Sequence, residues 1–174
     1  MNSLEILVAP DPRLKEKALP VEKVDRSIRK LMDQLLDNMY RARGIGLASV
    51  QLGIPKRVLA IDLGERDGIS FKPLLMANPE LLRVSSTLQT TEEGCLSVPG
   101  HFADVKRPLD VQVSYMDENN EIQILEASGL LADCIQHEID HLNGILFIEH
   151  LSALKRNLIL NKLIKEKKYI KGAL

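Results

Sequence analysis

Gln136-His137-Glu138-Ile139-Asp140-His141 sets two histidines four positions apart, with a glutamate directly after the first. On an α-helix, residues 137 and 141 are i and i+4, so both imidazoles leave the same face one turn apart. Two ring nitrogens so placed can grip one divalent metal ion. Glu138 adjoins the first ligand and can reach a metal-bound water as general acid/base. The spacing predicts a helix that carries a hydrolytic metal centre, but it does not name the bond that is cut.

A catalytic metal centre usually takes three protein ligands and keeps one position open. The extended motif His-x-x-Gly-x-x-His is followed as far as Gly144 and fails at Phe147, which cannot bind a metal. Downstream, Glu149 is close in sequence and Glu166 sits in a lysine-rich tail; neither is a convincing ligand. Upstream, residues 92–99 read Glu-Glu-Gly-Cys-Leu-Ser-Val-Pro. Gly94 and Pro99 predict an irregular, sharply held segment, a common setting for a functional side chain. Cys95 within it has two readings. Beside two imidazoles and a cation it would bind as thiolate, and one Cys with two His is an accepted catalytic set. Otherwise it is a small buried apolar residue, as most free cysteines are.

The chain has 174 residues, enough for one well-buried core and short for two, so residues 1–174 are expected to form a single domain. It is 45% apolar and 27% charged with net charge −1, an ordinary globular composition. No apolar run reaches membrane-spanning length. Met1-Asn2-Ser3-Leu4-Glu5 lacks the basic-then-apolar form of a secretory signal and is not rich in Arg and Ser, so the bacterial cytoplasm is the expected location. Two cysteines make no disulfide framework, which fits a reducing compartment.

Asp25 is placed to cap a helix whose apolar positions are Ile28, Leu31, Met32, Leu35, Leu36 and Met39. Val58-Leu59-Ala60-Ile61 and Leu74-Leu75-Met76 are short β-type runs. Val111, Val113 and Tyr115 share one face of an alternating stretch, Asp117-Glu118-Asn119-Asn120 reads as a turn, and Ile122 and Ile124 suggest a returning strand. Ser128 is a candidate cap for the motif helix, which should stop near Gly144. Strands first and a central helix later predict an α+β fold, with a further helix after Leu151.

Three segments, in order, resemble the motifs of the peptide deformylases. They are Gly44-Ile45-Gly46-Leu47-Ala48-Ser49-Val50-Gln51, Glu93-Gly94-Cys95-Leu96-Ser97 and Gln136-His137-Glu138-Ile139-Asp140-His141. The likeness runs from Pro10-Asp11-Pro12-Arg13-Leu14 to the helix after Leu151. It implies mixed or antiparallel sheets around one motif-bearing helix, and removal of the formyl group from N-terminal formyl-methionine of new polypeptides. It implies a metal on Cys95, His137 and His141, with hydroxide on that metal attacking the formyl carbon and Glu138 carrying the proton to the leaving amine. The Gln51 amide and the Leu96 N–H would bind the oxyanion. Substrate backbone would pair like an added strand with the segments around Ile45-Gly46 and Gly94. Ile45, Leu130 and Cys134 are candidates for the methionine pocket. The family typically uses Fe(II) in the cell and can hold Zn, Ni or Co after purification. Three residues depart from its pattern: Ser49 replaces an alanine, Asp133 is more polar than usual, and Phe102 stands where some members carry arginine.

Several residues have a plainer reading as well. Gln51 alone would pass for a surface amide. Asp140 would orient an imidazole or form a structural ion pair, with Arg107 as a partner. Gln136, His101 and His150 read as structural, and Cys134 as a packing residue. The basic tail, with Lys155, Arg156, Lys162, Lys165, Lys167, Lys168 and Lys171, would dock on ribosomal RNA, or be a solvated face of a helix whose Leu151, Leu154, Leu158 and Leu163 pack on the core. Two other functions fit the metal motif: a peptidase cutting internal bonds with a ligand other than Cys95, and a ribosome-associated module with a closed structural metal site.

Overall fold

The computed structural model describes residues 4–66, 69–70 and 72–172, with side chains omitted at 66, 69 and 168–172. The Asp25 carboxylate accepts the N–H groups of Ser27 at 2.8 Å and Ile28 at 3.0 Å, and so starts helix α1 (Arg26–Arg41). Ile28, Leu31, Met32, Leu35 and Met39 form its buried stripe. The chain then lays down β1 (Gly46–Ala48), β2 (Val58–Ile61), β3 (Glu65–Arg66), β4 (Ile69–Ser70), β5 (Leu74–Val84), β6 (Leu88–Cys95), β7 (Val98–Pro108), β8 (Asp110–Met116) and β9 (Ile122–Ser128). Helices α2 (Gly129–Leu142) and α3 (Ala153–Gly172) complete it.

The main sheet has the order β1-β2-β5-β8-β9, and each neighbouring pair is antiparallel. Every residue of β2 is buried, because helices cover both faces of the sheet. Val58 and Ala60 pack with Leu31 and Leu35 of α1 on one side. Leu59 and Ile61 pack with Ala132, Ile135, Ile139 and Leu142 of α2 on the other. β6 and β7 form a separate hairpin, which shares a third core cluster with Leu7, Leu14, Phe147 and Leu163. The Gln136 amide ties α2 to this hairpin by donating to the Pro108 carbonyl at 3.0 Å. The motif helix is therefore central, with the sheet on one side and the hairpin on the other.

Several local details differ from the expectation or add to it. The stretch from Gly94 to Pro99 is regular: β6 runs through Cys95, β7 begins at Val98, and only Leu96 and Ser97 turn between them. The glycine serves the opposite strand, since a Cβ at residue 94 would lie 2.5 Å from the Phe102 ring. β5 extends well past Met76. Ile122 and Ile124 do lie on the returning strand but are exposed, because the register Val113↔Leu125 and Val111↔Ala127 turns the odd-numbered residues of β9 inward. Ser128 stands at the N-cap of α2 without a side-chain capping bond. In α3, Leu163 is buried, whereas Leu154 and Leu158 face solvent. The side chains of Lys168 and Lys171 lie outside the described residues. No helix among the described residues is long and apolar enough to cross a membrane.

Candidate metal centre

The end of β6 delivers Cys95 against the face of α2 that carries His137 and His141. One ligand atom from each of these residues lies within 4.8 Å of the other two. The Cys95 sulfur is 3.2 Å from Nε2 of His141, and the two imidazoles meet edge-on at 5.0 Å between centroids. Bonds of 2.0–2.3 Å around a tetrahedral ion set neighbouring donors roughly 3.4–3.8 Å apart, so the trio fits a metal after small adjustments. Two neutral imidazoles and a thiol that ionises beside a cation are also the right donor chemistry. Cys95 is half-buried and faces both histidines, which favours the ligand reading over simple packing. Phe147, at the position where the extended motif needs a histidine, is fully buried and stacks on the His137 ring.

From the sequence, Asp140 is open to two roles, orienting an imidazole or forming an ion pair. The structure gives the first role to Glu93. His137 donates from Nδ1 to Glu93 at 2.9 Å, which leaves Nε2 toward the centre. Arg107 grips Glu93 through Nε at 2.5 Å and Nη2 at 3.1 Å, and it donates from Nη1 to Asp140 at 2.9 Å. His150 pairs with the same Asp140 oxygen at 2.8 Å. Asp140 thus has the ion-pair role, with the expected partner Arg107. Glu93 and Arg107 are both buried. Burial pushes the Glu93 carboxyl up, but hydrogen bonds from His137 and Arg107 outweigh it and hold the pKa at about 2. Burial opposes charge on His137, yet contact with Cys95 and Glu93 raises its pKa well above the ordinary value. Burial and the nearby His137 push His141 well below it.

Glu138 is buried, and its Oε2 has no hydrogen-bond partner among the described residues. Burial raises its pKa to about 7, against the opposing pull of His137. β1 passes so close that a Cβ on Gly46 would collide with Oε1 of this carboxylate. Glycine at residue 46 is therefore a packing requirement of the site.

Gln51 is buried rather than a surface amide. Its Oε1 accepts the Ala48 N–H at 2.8 Å, and its Nε2 lies 3.1 Å from Ser97 Oγ and 3.7 Å from the Cys95 sulfur. The first acceptor fixes which end of the amide faces the cysteine. A cleft of about 500 Å³ opens onto this centre. Ile45, Gly46, Gly94, Leu130 and Cys134, the five expected substrate-binding residues, all line it, and so does Leu96. Of the departures, Asp133 is buried in the cleft wall and accepts from Thr91 Oγ1 at 2.7 Å. Phe102 lies at the rim, and Ser49 donates to the Lys56 carbonyl away from the cleft. Gln136 donates to the backbone carbonyls of Pro108 and Ala132, as a structural residue should.

Comparison with known proteins agrees with this geometry. A family model described as polypeptide deformylase matches residues 3–157. A peptide deformylase of Agrobacterium fabrum is 47% identical over 165 residues, covering 95% of this chain and 96% of the relative. The crystal structure of peptide deformylase from Ehrlichia chaffeensis superposes with TM-score 0.93 at 40% identity, covering 97% of this chain and 98% of that one. A second structure from that organism, in complex with actinonin, gives 0.91 at 43% identity over 95% and 98% of the two chains.

Proposed function

Because the chain belongs to the polypeptide deformylase family, metal-dependent hydrolases that remove the N-formyl group from nascent peptides, we propose that Cys95, His137 and His141 hold its catalytic ion, with Glu138, Gln51 and Leu96 managing proton and charge. The observation that carries this assignment is the convergence of three metal-binding side chains and one buried carboxylate at the floor of a single cleft.

A bound divalent ion supplies Lewis acidity, lowering the pKa of coordinated water from about 16 toward about 7. Glu138, itself held at about 7, accepts the proton of the attacking water and returns it to the leaving amine. Its unpartnered oxygen leaves that acceptor available. Gln51, fixed by the Ala48 N–H, presents its amide donor beside Cys95, and the Leu96 N–H follows the same cysteine along the backbone. Together they bind the negative charge that develops on the formyl oxygen, each worth about 3 kcal/mol. Glu93 and Arg107 hold the His137 ring in one orientation.

The edges of β1 and β6 border the cleft, so an extended peptide adds between Ile45-Gly46 and Gly94 as a strand. Ile45, Leu130 and Cys134 receive the methionine side chain. The N₂S donor set suits Fe(II), the metal we assign in the cell, and accepts Zn, Ni or Co as well. Residues 1–174 act as one catalytic domain. Nascent chains as substrate support work in the cytoplasm. Exposed Lys155, Lys162, Lys165 and Lys167 on α3 support docking to ribosomal phosphates, and replacing the first three by glutamate should abolish salt-sensitive ribosome binding.

Anaerobically purified, iron-loaded protein should release formate from formyl-Met-Ala-Ser, and the Glu138→Ala variant should not. Metal-loaded parent that releases no formate would refute the assignment.

A further inference from the structure

We propose that Phe102 makes the mouth of the cleft selective for a large apolar side chain on the residue that follows the formyl-methionine. This rests on the deformylase reading of the cleft and deepens it. In the β6–β7 register Gly94 faces Phe102, Glu93 faces Ala103 and Glu92 faces Asp104. Directly opposed residues share a face, so Glu93, Val105 and Arg107 point inward while Glu92, Phe102, Asp104 and Lys106 point out. Phe102 is thus an aromatic ring on a charged outer face, 65% exposed.

Gly94 explains where the ring lies. The Cε1 and Cδ1 atoms of Phe102 would be 2.5 and 2.7 Å from a Cβ at residue 94, so the ring folds flat across the glycine and toward the cleft it lines. Leu130, 41% exposed, and Pro99 line the same cleft. The exposed charged residues lining it are Arg43 and Glu92, of opposite sign, so charge gives no consistent preference. Successive side chains of an extended peptide alternate sides. With the methionine directed inward, the next side chain turns to the mouth and finds an exposed apolar surface to cover.

The test compares kcat/KM of the metal-loaded enzyme for formyl-Met-Phe-Ser, formyl-Met-Ala-Ser and formyl-Met-Asp-Ser, in the parent and in Phe102→Ala and Phe102→Leu. The parent should favour the Phe peptide over the Ala peptide by about tenfold, mostly through KM, and disfavour the Asp peptide. In Phe102→Ala the Phe:Ala ratio should fall below about twofold; in Phe102→Leu part of it should remain. Each ratio is taken within one protein, so a general loss of active molecules cancels. Equal kcat/KM for the three peptides in the parent, or an unchanged ratio in Phe102→Ala, overturns the proposal. Failure to release formate from any of the three overturns the deformylase reading itself, and this proposal with it.

Discussion

Gly46 and Glu138 share one space: a methyl group on residue 46 would overlap Oε1 of the carboxylate. The smallest substitution on β1 therefore reports on the position of the proton carrier. We expect Gly46→Ala to lower kcat about a hundredfold, the usual cost of displacing a reacting group by about an ångström, with bound metal unchanged. Steady-state kinetics beside elemental analysis decide it. Undiminished kcat would mean that Glu138 works from some other position.

Glu93 should leave a signature in acid. Its pKa is about 2 in the folded chain against an ordinary 4.5, so between these values the unfolded chain binds more protons. Its contribution to stability is complete above about pH 4.5 and lost as pH falls toward about 2. The contribution is on the order of 2–3 kcal/mol. Glu93→Gln, measured without metal by circular dichroism, should melt below the parent at pH 7, and the gap should narrow as the pH is lowered from 4.5 to 3. A gap that stays constant with pH would remove the ionised carboxylate from the account.

Metal should act as a clamp between the β6–β7 hairpin and α2, because Cys95 belongs to the first and both histidines to the second. Binding to the folded state alone raises stability. A chelator should therefore lower the melting temperature of the parent by several degrees. Cys95→Ala should purify with little metal and melt at the same temperature with or without chelator. Retained metal and activity in this variant would favour the internal-bond peptidase instead.

Gln51→Glu keeps the oxygen that accepts the Ala48 N–H and removes the donor beside Cys95. Loss of one oxyanion donor predicts a fall in kcat of about a hundredfold or more, with KM little changed. A larger change in KM than in kcat would mark Gln51 as a substrate-binding group.

What the sequence disclosed and what it hid divide along sequence distance. The i, i+4 histidines, the Asp25 cap with its helical stripe, and the β8–β9 turn are each decided within a few residues, and all appear as expected. The long β6–β7 hairpin was hidden because Gly94 reads locally as a breaker, while its reason, the Phe102 ring, stands on another strand. The role of Glu93 was missed on the same ground, while the ion pair of Asp140 with Arg107 appears as read. Asp140 lies inside the histidine motif, whereas Glu93 reaches His137 from 44 residues away. Inward-outward alternation along β6 would have separated Glu93 from Glu92, had the strand been foreseen. Ile122 and Ile124 marked the returning strand correctly, but apolar character alone did not say which face of it was covered.

Cys95 and His141 are separated by 46 residues. During synthesis the chain passes the cysteine long before either histidine exists, and any fragment that stops short of α2 carries one of the three ligands. The centre cannot be assembled on a half-made molecule, however well its early strands have folded. An enzyme that serves growing chains is thus inert while it is one, and each working copy was finished before the chains it trims.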